Sequence, residues 1–294
     1  MMFSKKIEFN DHTGPIYSIS TASHFVYSSG ADKWVARWNL TSQEQDKFAI
    51  KLQTAAYTIQ HSSQLDLLYI GCSTGDFHII DTLTKKEIKF IQHHKTAIFS
   101  ITENTYKQQL YTGDSDGNLC VWNLTDFNLS LQLPLHCGKI RSIALIDQGE
   151  KIAVGSKDGT LRIFDTTFFN EVSTFNLNKT GIQSLLWINE NILIGDYDGY
   201  LYVFDTLKND VLSKVPAHKG AIYSMVQFDA NHFLTGSRDK SIKIWDHATF
   251  KVIQKIDLKS GGHKNSVNQL CLFQENQFIS CSDDSKLICW KKED

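Results

Sequence analysis

One turn is written seven times in this chain. Asp32, Thr74, Asp116, Asp158, Asp198, Asp239 and Asp284 recur with spacings of 42, 42, 42, 40, 41 and 45 residues. Six positions after each stands an aromatic or branched apolar residue: Trp38, Ile80, Trp122, Phe164, Phe204, Trp245 and Trp290. A period in this range marks a repeat architecture, in which each unit buries its faces only against its neighbours. Seven such units fill the 294-residue chain, which predicts one domain over residues 1–294.

The content of a unit is clearest in the fourth. Ile140–Ile146, the run KIAVGS, the run TLRIFD and Glu171–Leu177 are short segments of alternating pattern. They read as four strands of an antiparallel sheet. Asp158-Gly159 between the second and third is a hairpin turn signal, repeated at Asp116-Gly117 and Asp198-Gly199. No useful helical periodicity occurs, so the chain is expected to be all-β. A four-stranded sheet cannot bury both faces alone, but seven packed radially can. The seventh unit stops after its third strand, at Trp290, while Lys5–Phe9 precedes the first unit as an unpaired strand. The expected fold is therefore a seven-bladed ring closed by that N-terminal strand. Blades are expected to start near residues 12, 54, 94, 136, 179, 218 and 263.

A net charge of -2 shows no broad basic field, which argues against a nucleic-acid partner. No apolar run is long enough to span a bilayer, so no membrane partner is expected. MMFSKKIEFN lacks the apolar stretch of a secretory signal. The six cysteines show no C-x-x-C spacing and read as reduced structural thiols, which places the expected location in the cytoplasm.

These residues resemble the WD-repeat (WD40) family of seven-bladed β-propellers, over residues 5 to 291. The family's GH pair survives only as Gly262-His263 and its WD pair only as Trp245-Asp246, but seven copies stand in register. The resemblance implies hydrogen-bonded tetrads of His, Ser or Thr, Asp and Trp. They would be His12, Ser28, Asp32 and Trp38 in blade one, and His94, Thr112, Asp116 and Trp122 in blade three. Blade six would use His218, Thr235, Asp239 and Trp245; blade seven, His263, Ser280, Asp284 and Trp290. Blade four keeps His136 and Asp158 beside Val154 and Phe164, and is expected to hold a two-membered remnant. Blade five keeps Asp198 only. Blade two, with Thr54, Ile70, Thr74 and Ile80, has lost the network. Such replacement is physically reasonable, because removing one buried partner costs about 1–3 kcal/mol while exchanging the whole set for apolar groups is close to neutral.

His12, Asp32 and Ser28 form a catalytic triad on paper, but the same set in four blades reads as scaffold. No Cys or His spacing fits a zinc site, and no phosphate-cradling glycine motif is present. No cofactor or metal is expected.

The resemblance places Tyr17, Tyr57, Phe99, Arg141, Gln183, Tyr223 and Asn268 at the mouth of the central channel on the top face. The residues before the turn position, Ala31, Ser73, Ser115, Lys157, Tyr197, Arg238 and Asp283, lie nearby. Only Asp283 among them is acidic and none is histidine, so a hydrolytic or metal site there has almost no ligands. The mouth offers an aromatic arc of Tyr17, Tyr57, Phe99 and Tyr223, with Arg141, Tyr197 and Arg238 around it. Tyrosine and arginine are common interface anchors. The aromatics either plug the mouth by stacking on each other or form a docking patch. A docked ligand could bring a carboxylate or phosphate to the basic groups, or a cation to the rings. The expectation is a non-catalytic scaffold that binds a partner protein or peptide on the top face. Alternatives are an enzyme with a site on the loop Leu258–Lys264, and a nucleic-acid- or ribosome-associated propeller. The oligomeric state is not legible.

Overall fold

Seven four-stranded antiparallel sheets stand around a central axis in a computed structural model of the chain, which describes residues 2–177, 180–274 and 276–293. The blade start expected near residue 179 lies outside the described residues. Each blade runs from an inner strand at the axis to an outer strand at the rim. The inner strands are Ile16–Ala22, Ala56–Ser62, Ile98–Asn104, Ile140–Ile146, Ile182–Ile188, Ile222–Gln227 and Val267–Phe273. Blade four has strands Ile140–Ile146, Lys151–Ser156, Thr160–Asp165 and Glu171–Asn176, within a residue of the segments read from the sequence.

The ring is closed by the N-terminal strand. Phe3–Phe9 pairs antiparallel with Leu287–Lys292 and becomes the outermost strand of blade seven. It begins two residues earlier than the alternating pattern of Lys5–Phe9 indicates. Phe3, Ile7 and Phe9 are all buried, so the strand is anchored by apolar contact as well as by its ladder.

Blade-to-blade packing rests on a glycine against a branched side chain. Gly71, Gly113, Gly155, Gly195 and Gly236 hold the same place on successive second strands. A Cβ there would meet Ile98, Ile140, Ile182, Ile222 and Val267 of the next inner strand at 2.4 to 2.8 Å. Only a residue without a side chain permits that approach. Two blades depart from the rule: blade seven carries Cys281 at the glycine position, and blade one carries Ser29 there with Ala56 in the next blade where the others carry isoleucine or valine.

Adjacent inner strands are stitched by side chains rather than by a ladder. Ile59 N–H donates to Ser18 Oγ at 2.9 Å, Leu185 N–H to Ser142 Oγ at 3.0 Å and Leu270 N–H to Ser224 Oγ at 3.0 Å. Ile19 N–H donates to Gln269 Oε1 at 2.9 Å, tying blade one to blade seven. The channel wall is thereby fixed from blade to blade.

Candidate functional site

The four full tetrads form as hydrogen-bonded chains, three of them with the expected residues. In blade one the Trp38 indole donates to Ser28 Oγ at 2.7 Å, and His12 Nε2 lies 2.7 Å from the same oxygen. His12 Nδ1 lies 2.7 Å from Asp32 Oδ2. An indole can only donate, so Ser28 gives its own hydrogen to Nε2 and the imidazole donates through Nδ1 to the carboxylate. Blades six and seven repeat this through Thr235 and Ser280. Ser28 Oγ is fully buried and already engaged by Trp38, so it offers no accessible nucleophile.

Blade three corrects the expected set. His94 Nε2 meets Thr112 Oγ1 at 2.7 Å and Trp122 donates to it at 2.8 Å, but His94 Nδ1 bonds Asp114, at 2.8 Å, and not Asp116. Asp114 is buried at the strand end, where it also accepts from Asp116 N–H, Asn118 N–H and the Asn118 amide. Burial pushes its carboxyl up, but the bonds from His94 and Asn118 outweigh that and hold it below the usual range. Asp116 is exposed. Blade five repeats the shift. Asp196 is buried and accepts from Tyr202 Oη at 3.1 Å, whereas Asp198 is exposed.

The remnant expected in blade four is absent. His136 is exposed at φ 50° and does not bond Asp158. Cys137 is the buried neighbour, and Asp158 instead accepts from Ser156 Oγ at 2.7 Å. In blade two, Thr54 and Thr74 hydroxyls lie 3.3 Å apart beside buried Ile70 and Ile80.

The seven predicted mouth positions converge. Tyr17, Tyr57, Phe99, Arg141, Gln183, Tyr223 and Asn268 all line one central cavity of about 480 Å³. Tyr57 and Phe99 stack at 5.0 Å and 13°, and Tyr17 meets Tyr57 edge-on at 5.1 Å. The arc packs on itself along one side, yet the cavity stays open beside it. Arg141 reaches between blades three and six, with Cζ 5.1 Å from the Phe99 ring centre and 5.6 Å from that of Tyr223. Tyr197 and Arg238 do not join the cavity lining. They pair with each other, Arg238 Nη1 donating to Tyr197 Oη at 2.7 Å.

Lys139 enters the site unforeseen. Its Nζ stands 3.9 Å from the Phe99 ring centre. The signal is in the repeat: Lys139 stands where five other blades carry the small residues Ala55, Ala97, Gly181, Ala221 and Ser266. Burial, then Arg141 and Lys157, lower its pKa. Burial also lowers that of Arg141, with Tyr223 opposing. Among the described residues the Arg141 guanidinium has no hydrogen-bond acceptor and no carboxylate partner. The cavity's acid, Asp283, accepts from the Asn268 amide at 2.8 Å. The aromatic wall is thus cationic on the blade-four side and acidic on the blade-seven side.

Among the described residues no three His, Cys, Asp or Glu side chains are grouped to hold a metal ion. The loop Leu258–Lys264 contains a short 3-10 turn capped by Asp257, and its histidine, His263, is committed to the tetrad of blade seven. No helix is long and apolar enough to cross a membrane among the described residues.

A family model described as WD domain, G-beta repeat, matches residues 85–123, 127–165, 209–246 and 254–291, just over half of the chain. Each matched segment starts on the outer strand of one blade, or just before it, and ends on the third strand of the next. No curated protein matches the chain.

Proposed function

Since the chain belongs to the WD40 family, whose propellers generally serve as protein-interaction scaffolds, we propose that it docks a partner protein through the channel mouth of its top face. One domain, residues 1–294, carries this role, and the protein works in the cytoplasm without catalysis. The observation that carries the reading is Arg141. A guanidinium has five donors in a fixed fork. Here it is half-buried between Phe99 and Tyr223 with none of them paired among the described residues. Partial burial of an unpaired charge carries a desolvation cost, so an acceptor entering the cavity offsets it. The partner group that fits is an anion, a carboxylate or phosphate on a flexible tip, with Lys139 adding charge and the aromatic arc receiving its apolar neighbours. Tyr197 and Arg238 extend the docking surface outside the cavity.

The test is affinity capture with wild type, Arg141→Gln and the Tyr17→Ala, Phe99→Ala double variant, each checked for wild-type melting behaviour. Partners held by the wild type should be lost from both variants. Retention of the same partners by the folded variants overturns the reading.

A further inference from the structure

Blade one has a slot where the other blades have a side chain. Its third strand carries Ala36, facing Ala49 on the outer strand. The same place holds His78, Cys120, Arg162, Tyr202, Lys243 and Ile288 in the other six blades. Between Ala36 and Trp38 the outer strand also steps from Ala49 to Gln45, one residue more than in the other blades. The result is a cavity of about 260 Å³ against the tetrad, bounded by Asp11, Asp32, Trp34, Ala36, Trp38 and Gln45.

Three other blades show what this place accommodates. In blade six the Lys243 ammonium donates to Ala217 O at 2.5 Å, lies 5.7 Å from the Trp245 ring centre and is attracted by Asp239. In blade four Arg162 approaches Asp158 to 3.7 Å. In blade five Tyr202 donates to Asp196. Tyr202 and Arg162 send a donor from this strand position toward a blade acid, and Lys243 sends its ammonium to the neighbouring carbonyl within the field of Asp239. Blade one keeps the acid, Asp32, and the indole, Trp38, but Ala36 sends nothing. Asp11 precedes His12 as Ala217 precedes His218, so its carbonyl takes the place of the acceptor used by Lys243, and its exposed carboxylate adds a second negative charge. Trp34 stands at the entrance, 39% exposed. Lys51 lies 4.7 Å from the Trp34 ring centre but donates to the Asp32 backbone carbonyl; the Asp32 carboxylate accepts from His12 Nδ1, Thr13 N–H and Trp34 N–H and has no lysine or arginine partner among the described residues.

We infer that this slot receives a lysine side chain from a partner protein, its stem between Trp34 and Trp38 and its ammonium at the Asp11 carbonyl and Asp32 carboxylate, as Lys243 fills blade six from within. An ammonium against an indole face beside a carboxylate is favourable where water is excluded. The aliphatic stem covers the alanines. This site lies on the outer part of a blade and does not depend on the channel.

The test is titration of the full chain with Nα-acetyl-lysine N-methylamide, followed by the indole N–H resonances. The resonances of Trp34 and Trp38 should shift, with affinity roughly tenfold or more above that for the uncharged norleucine analogue. Ala36→Lys, which plants the blade-six residue, should abolish the shifts and raise the melting temperature. Ala36→Met, which fills the slot without charge, should abolish them too and serves if the lysine variant does not fold. Arg141→Gln should bind the probe as wild type does. Equal response to norleucine, tighter binding of the arginine analogue, or shifts that survive both Ala36 variants would overturn the assignment.

Discussion

The side-chain amide of Gln254 holds both backbone groups of Phe3. Phe3 N–H donates to Gln254 Oε1 at 2.7 Å, and Gln254 Nε2 donates to Phe3 O at 2.9 Å. A residue of blade six thus acts as one more strand for the segment that completes blade seven. The Phe3 ring is wedged edge-on against Phe228 at 5.0 Å and Phe278 at 5.1 Å.

Cutting this latch should be costly at either partner. Gln254→Ala strands a buried N–H and a buried carbonyl, for a loss of about 2 kcal/mol. Phe3→Ala removes a buried ring, for about 3–5 kcal/mol. Urea unfolding measures both. A Gln254→Ala variant as stable as wild type would mean the strand is held by its ladder alone.

Asp114→Ala and Asp116→Ala should separate cleanly. Asp114 serves His94, Asp116 N–H and Asn118, so its loss should cost about 3 kcal/mol. Asp116 is exposed, and its loss should stay within about 0.5 kcal/mol. The reverse order in a melting comparison would restore Asp116 to the tetrad.

The thiols should be silent in the folded protein. Burial pushes Cys72 and Cys120 up to about 12 and Cys289 to about 11, and raises Cys137, Cys271 and Cys281 as well. Alkylation needs the thiolate. Mass spectrometry after mild iodoacetamide treatment should find no modified cysteine until denaturant is added. Rapid labelling of any of the five buried thiols, Cys72, Cys120, Cys137, Cys281 or Cys289, in native buffer would contradict their burial.

Acid should weaken blade six early. Burial holds the His218 imidazole below its ordinary value, against the pull of Asp239. The unfolded chain therefore takes up a proton near pH ~6.5 that the folded chain refuses, and stability falls as pH drops through that point. Below about pH 4 a second loss follows. Burial raises the Asp239 carboxyl, but bonds from His218, Ser241 and Lys219 N–H outweigh it and hold it below its unfolded value. Between about pH 7.5 and 5.5 the wild type should lose more melting temperature than His218→Gln. Parallel curves would remove His218 as the cause.

The repeat made the architecture and the channel lining legible, because register carries over from blade to blade whatever the residue. Tyr17 and Asn268 share no chemistry, yet both are placed by counting from their turns. Register failed where two residues competed for one role. In the run Asp114-Ser-Asp116-Gly117, Asp116 has the hairpin spacing, but only Asp114 lies on the strand end with its carboxylate inside. His136 attracted the histidine role by type, while the backbone turns it to solvent and buries Cys137 next door. Lys139 is not legible from the pattern because it departs from a row of small residues, and its reach over Phe99 is a matter of side-chain length. The slot of blade one needs two strands compared across seven blades, including a one-residue slip that composition does not reveal.

Phe9 pairs with Leu287, a partner made some 280 residues later. At ~5–20 residues per second, the ribosome takes roughly tens of seconds to supply it. Throughout that interval Phe3, Ile7 and Phe9 lack their ladder partners in Leu287–Lys292, although Phe9 already has Trp38 to pack on and Phe3 gains Phe228 before the ring closes. The newborn chain carries an unpaired edge on this strand until Leu287–Lys292 arrives. A chain stopped inside blade seven would therefore be left as an open ring whose unpaired strand Phe3–Phe9 is primed to pair with another like it.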